Sequence, residues 1–379
     1  MVRTLIITLG LFFTLYACST SQTFDQDDEK YVVGYLFPQD RLLDPNEVEV
    51  EKLTHINYAF ADIRDGKIAQ GFEYDDENFK ILNNMKERNP DLKLLISVGG
   101  WTWSGNFSDM ALTKESRKKF IDSSIEFIKQ HKLDGIDLDW EYPNMVGAGN
   151  VYRTEDKQNF TLLLKELRTA LDELGEAHNK HYLLTIAAGV SKQYIANTEM
   201  REVQKYLDFV NLMTYDFYVV SADSIAGHNA ALYTHPKDPR GISADAGVQW
   251  FMEAGVPSEK IVLGVPFYGR SAQTLSEDGH GLFEPAIPPE KRYRTSFSNI
   301  KTKLENKNGF IRYWDSAASV PYLFNEDEKV LIMYEDEESL TKKTEYIKEH
   351  NLKGAMFWEY QSDYESRLLN ILHNQLIRR

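Results

Sequence analysis

Eight short apolar runs, separated by segments of helical period, organise this 379-residue chain. Such alternation of strand-like runs with amphipathic helices is typical of a parallel sheet covered by helices. In the segment 154–175, for example, leucines recur on one helical stripe. The runs cover residues 31–37, 54–61, 92–100, 133–141, 182–189, 207–215, 260–269 and 353–360.

Eight strand–helix units predict a (β/α)8 TIM barrel, an α/β fold whose catalytic groups collect at the carboxyl ends of the strands. An open doubly wound sheet is the alternative, but no glycine-rich phosphate loop follows any run. The stretch between the last two runs is longer than one helix with its loops requires. We therefore expect a small α+β insertion subdomain at 271–328, inside a barrel formed by 31–270 and 329–379, with a helix at 337–350 before the last strand.

The amino terminus has the anatomy of a secretory signal. Arg3 precedes an apolar run from Leu5 to Ala17 that is too short to span a bilayer. Cys18, the only cysteine, follows in a context that resembles a bacterial lipobox; a plain signal peptide with an incidental cysteine is the alternative. We expect a signal peptide at 1–17, lipidation of Cys18, a polar tether at 18–30, and a secreted or cell-envelope lipoprotein of the outer membrane or cell surface.

The charge balance limits the partners of the protein. With 43 basic against 58 acidic residues, the net charge of −15 would repel the phosphates of nucleic acid. We expect a neutral or cationic partner, contact with a membrane only through the lipid anchor, no cofactor, and a monomer.

The stretch "LDGIDLDWEYP" (133–143) places three acids at alternate positions, Asp137, Asp139 and Glu141. Alternate residues of a strand share one side, about 6.6 Å apart, so the acids would point into the barrel while the apolar residues between them pack on the helices. Buried neighbouring carboxyls raise one another's pKa values. Glu141, the outermost, is therefore a candidate general acid, whereas we expect Asp134 to order the strand entry.

Two other interpretations of the acidic run are a solvated edge strand and a surface metal site. Hard cations usually draw their ligands from several loops, and no histidine pair at metal spacing accompanies the acids. We therefore predict no metal and rank metal catalysis second. The nine histidines form no nucleophile–base arrangement, and His228 is expected to be structural or at the rim.

The motif "DGIDLDWEYP" resembles the D-x-x-D-x-D-x-E signature of glycoside hydrolase family 18, the chitinase-like barrels. Further motifs resemble that family in the family's own order. They are "SVGGWTWSGNFS" (97–108), "LMTYDF" (212–217), "LGVPFYGR" (263–270) and "GAMFWE" (354–359), with "GLF" (281–283) and "YWDSAASVPYLF" (313–324) in the insertion.

The resemblance implies substrate-assisted catalysis, the known exception to the two-carboxylate mechanism. Glu141 would protonate the leaving oxygen while the sugar's own 2-acetamido carbonyl attacks the anomeric carbon, with retention of configuration. Asp139 would orient the acetamido group, and Asp137 would hydrogen-bond Asp139. Tyr215 would donate to the acetamido oxygen, with Asp216 as a further polar contact.

Aromatic residues are expected to hold the sugar. The resemblance implies that Trp358 forms the floor under the reacting ring, because indole faces stack on apolar sugar faces. Ser271 and Ala272 stand where many relatives carry an aromatic residue, which puts one leaving-side subsite in doubt. Residues of second rank, each equally compatible with core packing, are Trp101, Trp103, Tyr35, Phe60, Met213, Tyr268 and Arg270.

The predicted function is a retaining chitinase acting on β-1,4-linked N-acetylglucosamine. Two alternatives share the fold: an endo-β-N-acetylglucosaminidase acting on glycoprotein glycans, and a catalytically silent glycan-binding protein. The insertion and the "WTWSGNFS" motif favour the chitinase over the first. Glu141 argues against the second, because such binding proteins commonly lose the acid.

Overall fold

The computed structural model describes residues 30–275 and 278–377. The predicted signal peptide, Cys18 and all but the last residue of the predicted tether lie outside the described residues. Within these ranges, no helix combines the length and apolar character needed to cross a bilayer.

A closed barrel of eight parallel strands forms the body of the molecule, as predicted. The strands pair in the order β1, β14, β8, β7, β6, β5, β4 and β2, and β1 also pairs with β2, which closes the ring. A short strand, β3 (Lys67–Ala69), adds an antiparallel extension to β2. The barrel strands are β1 (Tyr31–Leu36), β2 (His55–Arg64), β4 (Lys93–Gly99), β5 (Gly135–Asp139), β6 (Leu183–Gly189), β7 (Phe209–Met213), β8 (Ile261–Pro266) and β14 (Gly354–Trp358).

Helices follow the strands and cover the outside of the barrel. Thr113 and Ser116 form a capping box at the start of α3, and Lys132 ends that helix in the left-handed conformation. The predicted helix at 337–350 is confirmed as α10. The helices are α1 (Asp75–Asn84), α2 (Phe107–Ala111), α3 (Lys114–His131), α4 (Asp156–His178), α5 (Lys192–Ala196), α6 (Met200–Val203), α7 (Val220–Asp223), α8 (Ala244–Glu253), α9 (Phe297–Asn299), α10 (Glu337–Glu349) and α11 (Arg367–Leu372).

A second, antiparallel sheet lies between β8 and α10. Its order is β10, β9, β13, β12, β11, from strands β9 (Arg270–Thr274), β10 (Ala286–Ile287), β11 (Phe310–Asp315), β12 (Val320–Asn325) and β13 (Val330–Met333). The expected range 271–328 leaves out β13 and the first residue of β9. Residues 330–333 belong to the insertion because β13 pairs with both β9 and β12, and Met333 lies opposite Arg270.

Alternation along β5 sorts its side chains between two environments. Leu138 and Trp140 face the helical layer, where the Trp140 ring stacks on Phe107 at 5.2 Å and meets Phe160 of α4 edge-on. The acids on the other side point inward, as expected from the period of a strand. The row of Asp137, Asp139 and Glu141 therefore runs along the inside of the barrel to its carboxyl end.

Candidate active site

A cavity of about 1140 Å³ opens at the carboxyl ends of the barrel strands. It brings together residues from the loops that follow all eight strands. Most of the predicted site residues line it: Asp139, Glu141, Met213, Tyr215, Asp216, Tyr268, Arg270, Trp358, Phe60, Trp101 and Trp103.

Asp137 lies beneath this cavity, fully buried, and serves as the anchor of the acidic row. Its Oδ2 accepts hydrogen bonds from the hydroxyls of Tyr35 (2.8 Å) and Ser97 (2.7 Å). Its Oδ1 accepts from Thr185 Oγ1 (2.6 Å) and more weakly from Asn211 Nδ2 (3.3 Å). Burial raises the pKa of Asp137, and these donors oppose that rise by favouring the carboxylate.

Asp139 is also buried, but it has fewer hydrogen-bond donors around it than Asp137. Its Oδ1 has no hydrogen-bond partner in the described part of the chain. Burial, followed by the nearby carboxyls of Glu141 and Asp137, raises the pKa of Asp139 well above its ordinary value. The expected hydrogen bond between Asp137 and Asp139 is absent from the described residues, because four donors from neighbouring strands already occupy Asp137. Asp139 is therefore an acid with free hydrogen-bonding capacity facing the cavity.

Glu141 ends the row at the cavity wall, where it is 8% exposed. Burial, reinforced by the negative charge of Asp216, raises the pKa of Glu141 to about 7. Ser104 fixes the backbone at this point: its hydroxyl accepts from the Glu141 amide (2.8 Å) and lies 3.0 Å from the Asp139 carbonyl oxygen. Glu141 thus has the protonation behaviour expected of a general acid near neutral pH.

Tyr215 and Asp216 come from the end of β7. The partly buried Tyr215 has its hydroxyl 3.8 Å from Met356 Sδ. Asp216 accepts from the Tyr268 hydroxyl (2.8 Å) and from Nε and one terminal nitrogen of Arg270 (2.7 and 2.6 Å). This bidentate pair fixes a negative charge next to the acidic row, consistent with the raised pKa of Glu141.

Trp358 lies across the barrel from Glu141, since β14 and β5 are four places apart in the ring. Its indole stacks on Phe60 with ring centroids 5.4 Å apart, and Phe37 and Tyr35 meet it at 5.4 and 5.8 Å. One indole face therefore packs on aromatic rings, while the side chain also lines the cavity. This arrangement provides a rigid apolar floor for a flat ligand.

One expectation about the cavity wall is wrong. Tyr35 does not line it: the side chain is 1% exposed and uses its hydroxyl to hold Asp137. Ser271 and Ala272 do not line it either, because β9 carries them into the second sheet and Ala272 packs in the core of the insertion. Positions 271 and 272 therefore add no side chain to the wall of this cleft.

Several residues that support the acidic row cannot be recognised from the sequence alone. Ser97, Thr185 and Asn211 each project inward from a different strand and meet only around Asp137. Their positions within apolar runs, at the same alternation as the acids, were the available signal. Ser104 lies within the 97–108 motif, but the motif does not indicate its contact with the Glu141 amide.

Two residues set aside from catalysis are held by other contacts. Asp134 pairs with Lys86 (2.5 Å) and Lys180 (2.7 Å) at the start of β5, which confirms its structural role. His228 pairs with Asp315 of the second sheet at 2.8 Å. Across residues 30–275 and 278–377, no three His, Cys, Asp or Glu side chains come together as potential metal ligands.

The chain is similar to known proteins over most of its length. A model of the family described as "Glycosyl hydrolases family 18" matches residues 20–363. Chitinase A1 of Niallia circulans is 38% identical over 417 aligned positions, covering 93% of this chain and 59% of that protein, so the chain spans less than two thirds of this relative. Chitotriosidase-1 of Mus musculus is 32% identical, covering 84% of this chain and 69% of that protein.

Solved structures agree with the fold. The family 18 N-acetylglucosaminidase of Paenibacillus barengoltzii is 44% identical and superposes with a TM-score of 0.84, over 92% of this chain and 100% of that one.

Proposed function

Because the chain belongs to glycosyl hydrolases family 18, we propose that it is a retaining chitinase that hydrolyses β-1,4-linked N-acetylglucosamine. The observation that carries the proposal is Glu141. This acid has a pKa raised to about 7, lines the cavity, and lies beyond a second acid, Asp139, whose Oδ1 has no partner among the described residues.

Glu141 protonates the glycosidic oxygen as the bond to the leaving sugar breaks. In the substrate-assisted route of the family, the carbonyl oxygen of the 2-acetamido group attacks the same anomeric carbon and forms a cyclic oxazolinium ion. Glu141, now ionised, removes a proton from the water that opens this ring. Two displacements at one carbon retain the configuration.

Asp139 accepts a hydrogen bond from the acetamido N–H and stabilises the positive charge of the ring. Its Oδ1, without a partner in the described part of the chain, is available for that contact. Asp137, held by Tyr35, Ser97 and Thr185, supplies a fixed negative charge beneath it. Charge that develops in the transition state therefore meets carboxyls already in place, which requires little reorganisation.

Tyr215 donates its hydroxyl proton to the acetamido oxygen and so orients it for attack. Its only hydrogen-bond partner in the described chain is the weak acceptor Met356 Sδ at 3.8 Å, so a carbonyl oxygen would displace that contact at little cost. Trp358 stacks beneath the apolar face of the reacting sugar. Together these groups recognise N-acetylglucosamine rather than a sugar without the acetamido group.

A second candidate activity is the release of single N-acetylglucosamine units, as the name of the Paenibacillus barengoltzii relative describes for that protein. An endo-β-N-acetylglucosaminidase and a silent glycan-binding protein are weaker alternatives. The tuned pKa of Glu141 argues against a purely binding role, since raising the pKa of an acid by burial costs folding energy.

The cell-surface location is also a proposal. Arg3, the apolar run at 5–17 and Cys18 support signal cleavage and lipidation, which would hold a monomeric enzyme at the cell envelope. Metabolic labelling with a fatty acid tests this: label on the parent chain and none on Cys18→Ser is expected. Equal labelling of both chains would contradict lipidation of Cys18.

Product analysis on defined substrates tests the activity. We expect chitohexaose to yield mainly chitobiose-sized fragments of retained configuration, and an N-linked glycopeptide to remain intact. Glu141→Gln should bind chitohexaose without cleaving it. Monosaccharide as the first product would favour the second candidate, release of intact glycans would favour the endo-glycosidase, and turnover by Glu141→Gln at the parent rate would end the assignment.

A further inference from the structure

The cavity extends in two directions from Glu141. A smaller cavity of about 720 Å³ adjoins it behind Trp358, lined from the loops after β1 and β14 by residues that include Phe37, Arg41 and Glu359, but not by Glu141. The loop between β7 and α8 lines the larger cavity but not the smaller one. In the proposed mechanism the reacting sugar rests on Trp358 and is retained, so further retained sugars would extend past Trp358 into the smaller cavity, and the leaving sugars would extend toward the β7–α8 loop.

Arg240 is the positively charged side chain that the β7–α8 loop contributes to the cavity wall. Its guanidinium donates to the Phe217 carbonyl oxygen (2.9 Å) and to Asp223 Oδ1 (2.6 Å), and lies 4.4 Å from the centroid of the Tyr218 ring. The Arg240 amide also donates to Asp238 Oδ1 at 2.8 Å. Contacts on three sides fix the orientation of the group before any ligand arrives.

The guanidinium retains unused donors. Arginine carries five N–H groups, and the described residues accept from two of them. The side chain is 40% exposed. Arg270, the other cation of the cavity wall, is committed to both oxygens of Asp216 within the acidic network. Arg240 stands outside that network and can donate to neutral oxygen acceptors such as sugar hydroxyls and acetamido carbonyls.

We propose that Arg240 binds the sugar chain on the leaving-group side of the cleaved bond and determines how well the enzyme accepts a saccharide as leaving group. This inference rests on the proposed chitinase activity. In this proposal Arg240 takes part in the leaving-side subsite that is in doubt because positions 271 and 272 carry no aromatic residue.

Two substrates separate the leaving-group side from the rest of the cleft. Chitotetraose leaves a saccharide, whereas 4-methylumbelliferyl chitobioside leaves an aryl group that offers no sugar oxygens. Because charge-assisted hydrogen bonds to the sugar would be lost, we expect Arg240→Ala to lower kcat/KM on chitotetraose about tenfold or more. On the aryl substrate, kcat/KM should change less than about twofold. Equal losses on both substrates, or no loss on either, would overturn the assignment.

Matched variants separate contact with the sugar from support of the loop. Lys237→Ala removes a cation of the same loop that does not line the cavity. This variant should have the kcat/KM of the parent on both substrates. Asp223→Asn removes the charge that pairs with Arg240 but keeps an acceptor, and should preserve the preference for chitotetraose. If Asp223→Asn reproduces the selective loss, Arg240 acts only through the loop and the proposal fails. A parent enzyme that cleaves neither substrate would refute the proposed function itself.

Discussion

The two ends of β5 carry acids with opposite properties. Asp134 precedes the strand and Glu141 follows it, both nearly buried. At the amino end the pKa of Asp134 is lowered, although burial works against this, because Lys86 and Lys180 lie against the carboxylate. At the carboxyl end burial raises the pKa of Glu141 to about 7.

The difference lies in the partners, since both groups are side-chain carboxyls of similar intrinsic acidity. Asp134 also accepts from the Leu94 amide at 2.7 Å, so its charge is compensated from three directions. Neither Asp139 nor Glu141 forms an ion pair with a described lysine or arginine. A compensated acid holds strands together, whereas an uncompensated one is kept partly protonated and can exchange a proton with a substrate.

The largest effect should come from removing the proton donor. Glu141→Gln keeps the shape of the side chain but carries no acidic proton, so kcat on chitohexaose should fall by about 10³-fold or more. Binding, measured by calorimetry, should persist. The variant should be no less stable than the parent at pH 8, because a carboxyl whose folded pKa is raised destabilises the fold as pH rises past its unfolded pKa. If Glu141→Gln were markedly less stable than the parent, the contrast drawn between Asp134 and Glu141 would be wrong.

Asp134→Asn should reverse this pattern. Two lysines lose their counter-charge, and because Lys86 and Lys180 are partly exposed we expect a loss of about 2 kcal/mol in the free energy of unfolding, which is more than for an exposed pair and less than for a fully buried one. Turnover per folded molecule should stay near the parent value. Urea unfolding and active-site titration measure the two quantities, and a variant of parent stability with lost turnover would refute the structural role.

Tyr35→Phe tests the anchor beneath the row. The change deletes one hydroxyl that donates to Asp137 at 2.8 Å and leaves the ring in place. We expect kcat on chitotetraose to fall about tenfold, because one hydrogen bond to a charged acceptor is lost. Thermal unfolding provides the control, and a change in stability without a change in kcat would limit Tyr35 to packing.

The smallest effect concerns pH. Glu141 must be protonated to act as the acid, so kcat/KM should fall as pH rises through about 7. The Asp216 carboxylate contributes to that pKa, and Asp216→Asn should move the alkaline limb to lower pH by less than about one unit. A pH–rate profile on the aryl chitobioside measures the limb, and a move to higher pH would contradict the electrostatic account.

Sequence periodicity correctly predicted the eight strands of the barrel. All eight apolar runs became parallel strands, because each run is buried on both faces and is followed by a helical stripe. The boundary of the insertion was less accurate: Val330–Met333 is as apolar as a barrel strand, and only its pairing with β9 and β12 assigns it to the second sheet.

The acidic row also followed from the sequence, because a period of two places Asp137, Asp139 and Glu141 on one side of a strand whatever the fold. Its partners did not follow. The donors to Asp137 come from positions as distant as 35 and 211, and Arg240 reaches the cavity from a long loop after β7.

Local alternation along one strand therefore determined which acids point inward and which apolar residues meet the helices. Tertiary structure alone decided which of those acids are compensated and which are not. The physical reason is that strand alternation is set by backbone geometry within a few residues, whereas a pKa depends on charges, donors and burial supplied by chain segments far apart in sequence.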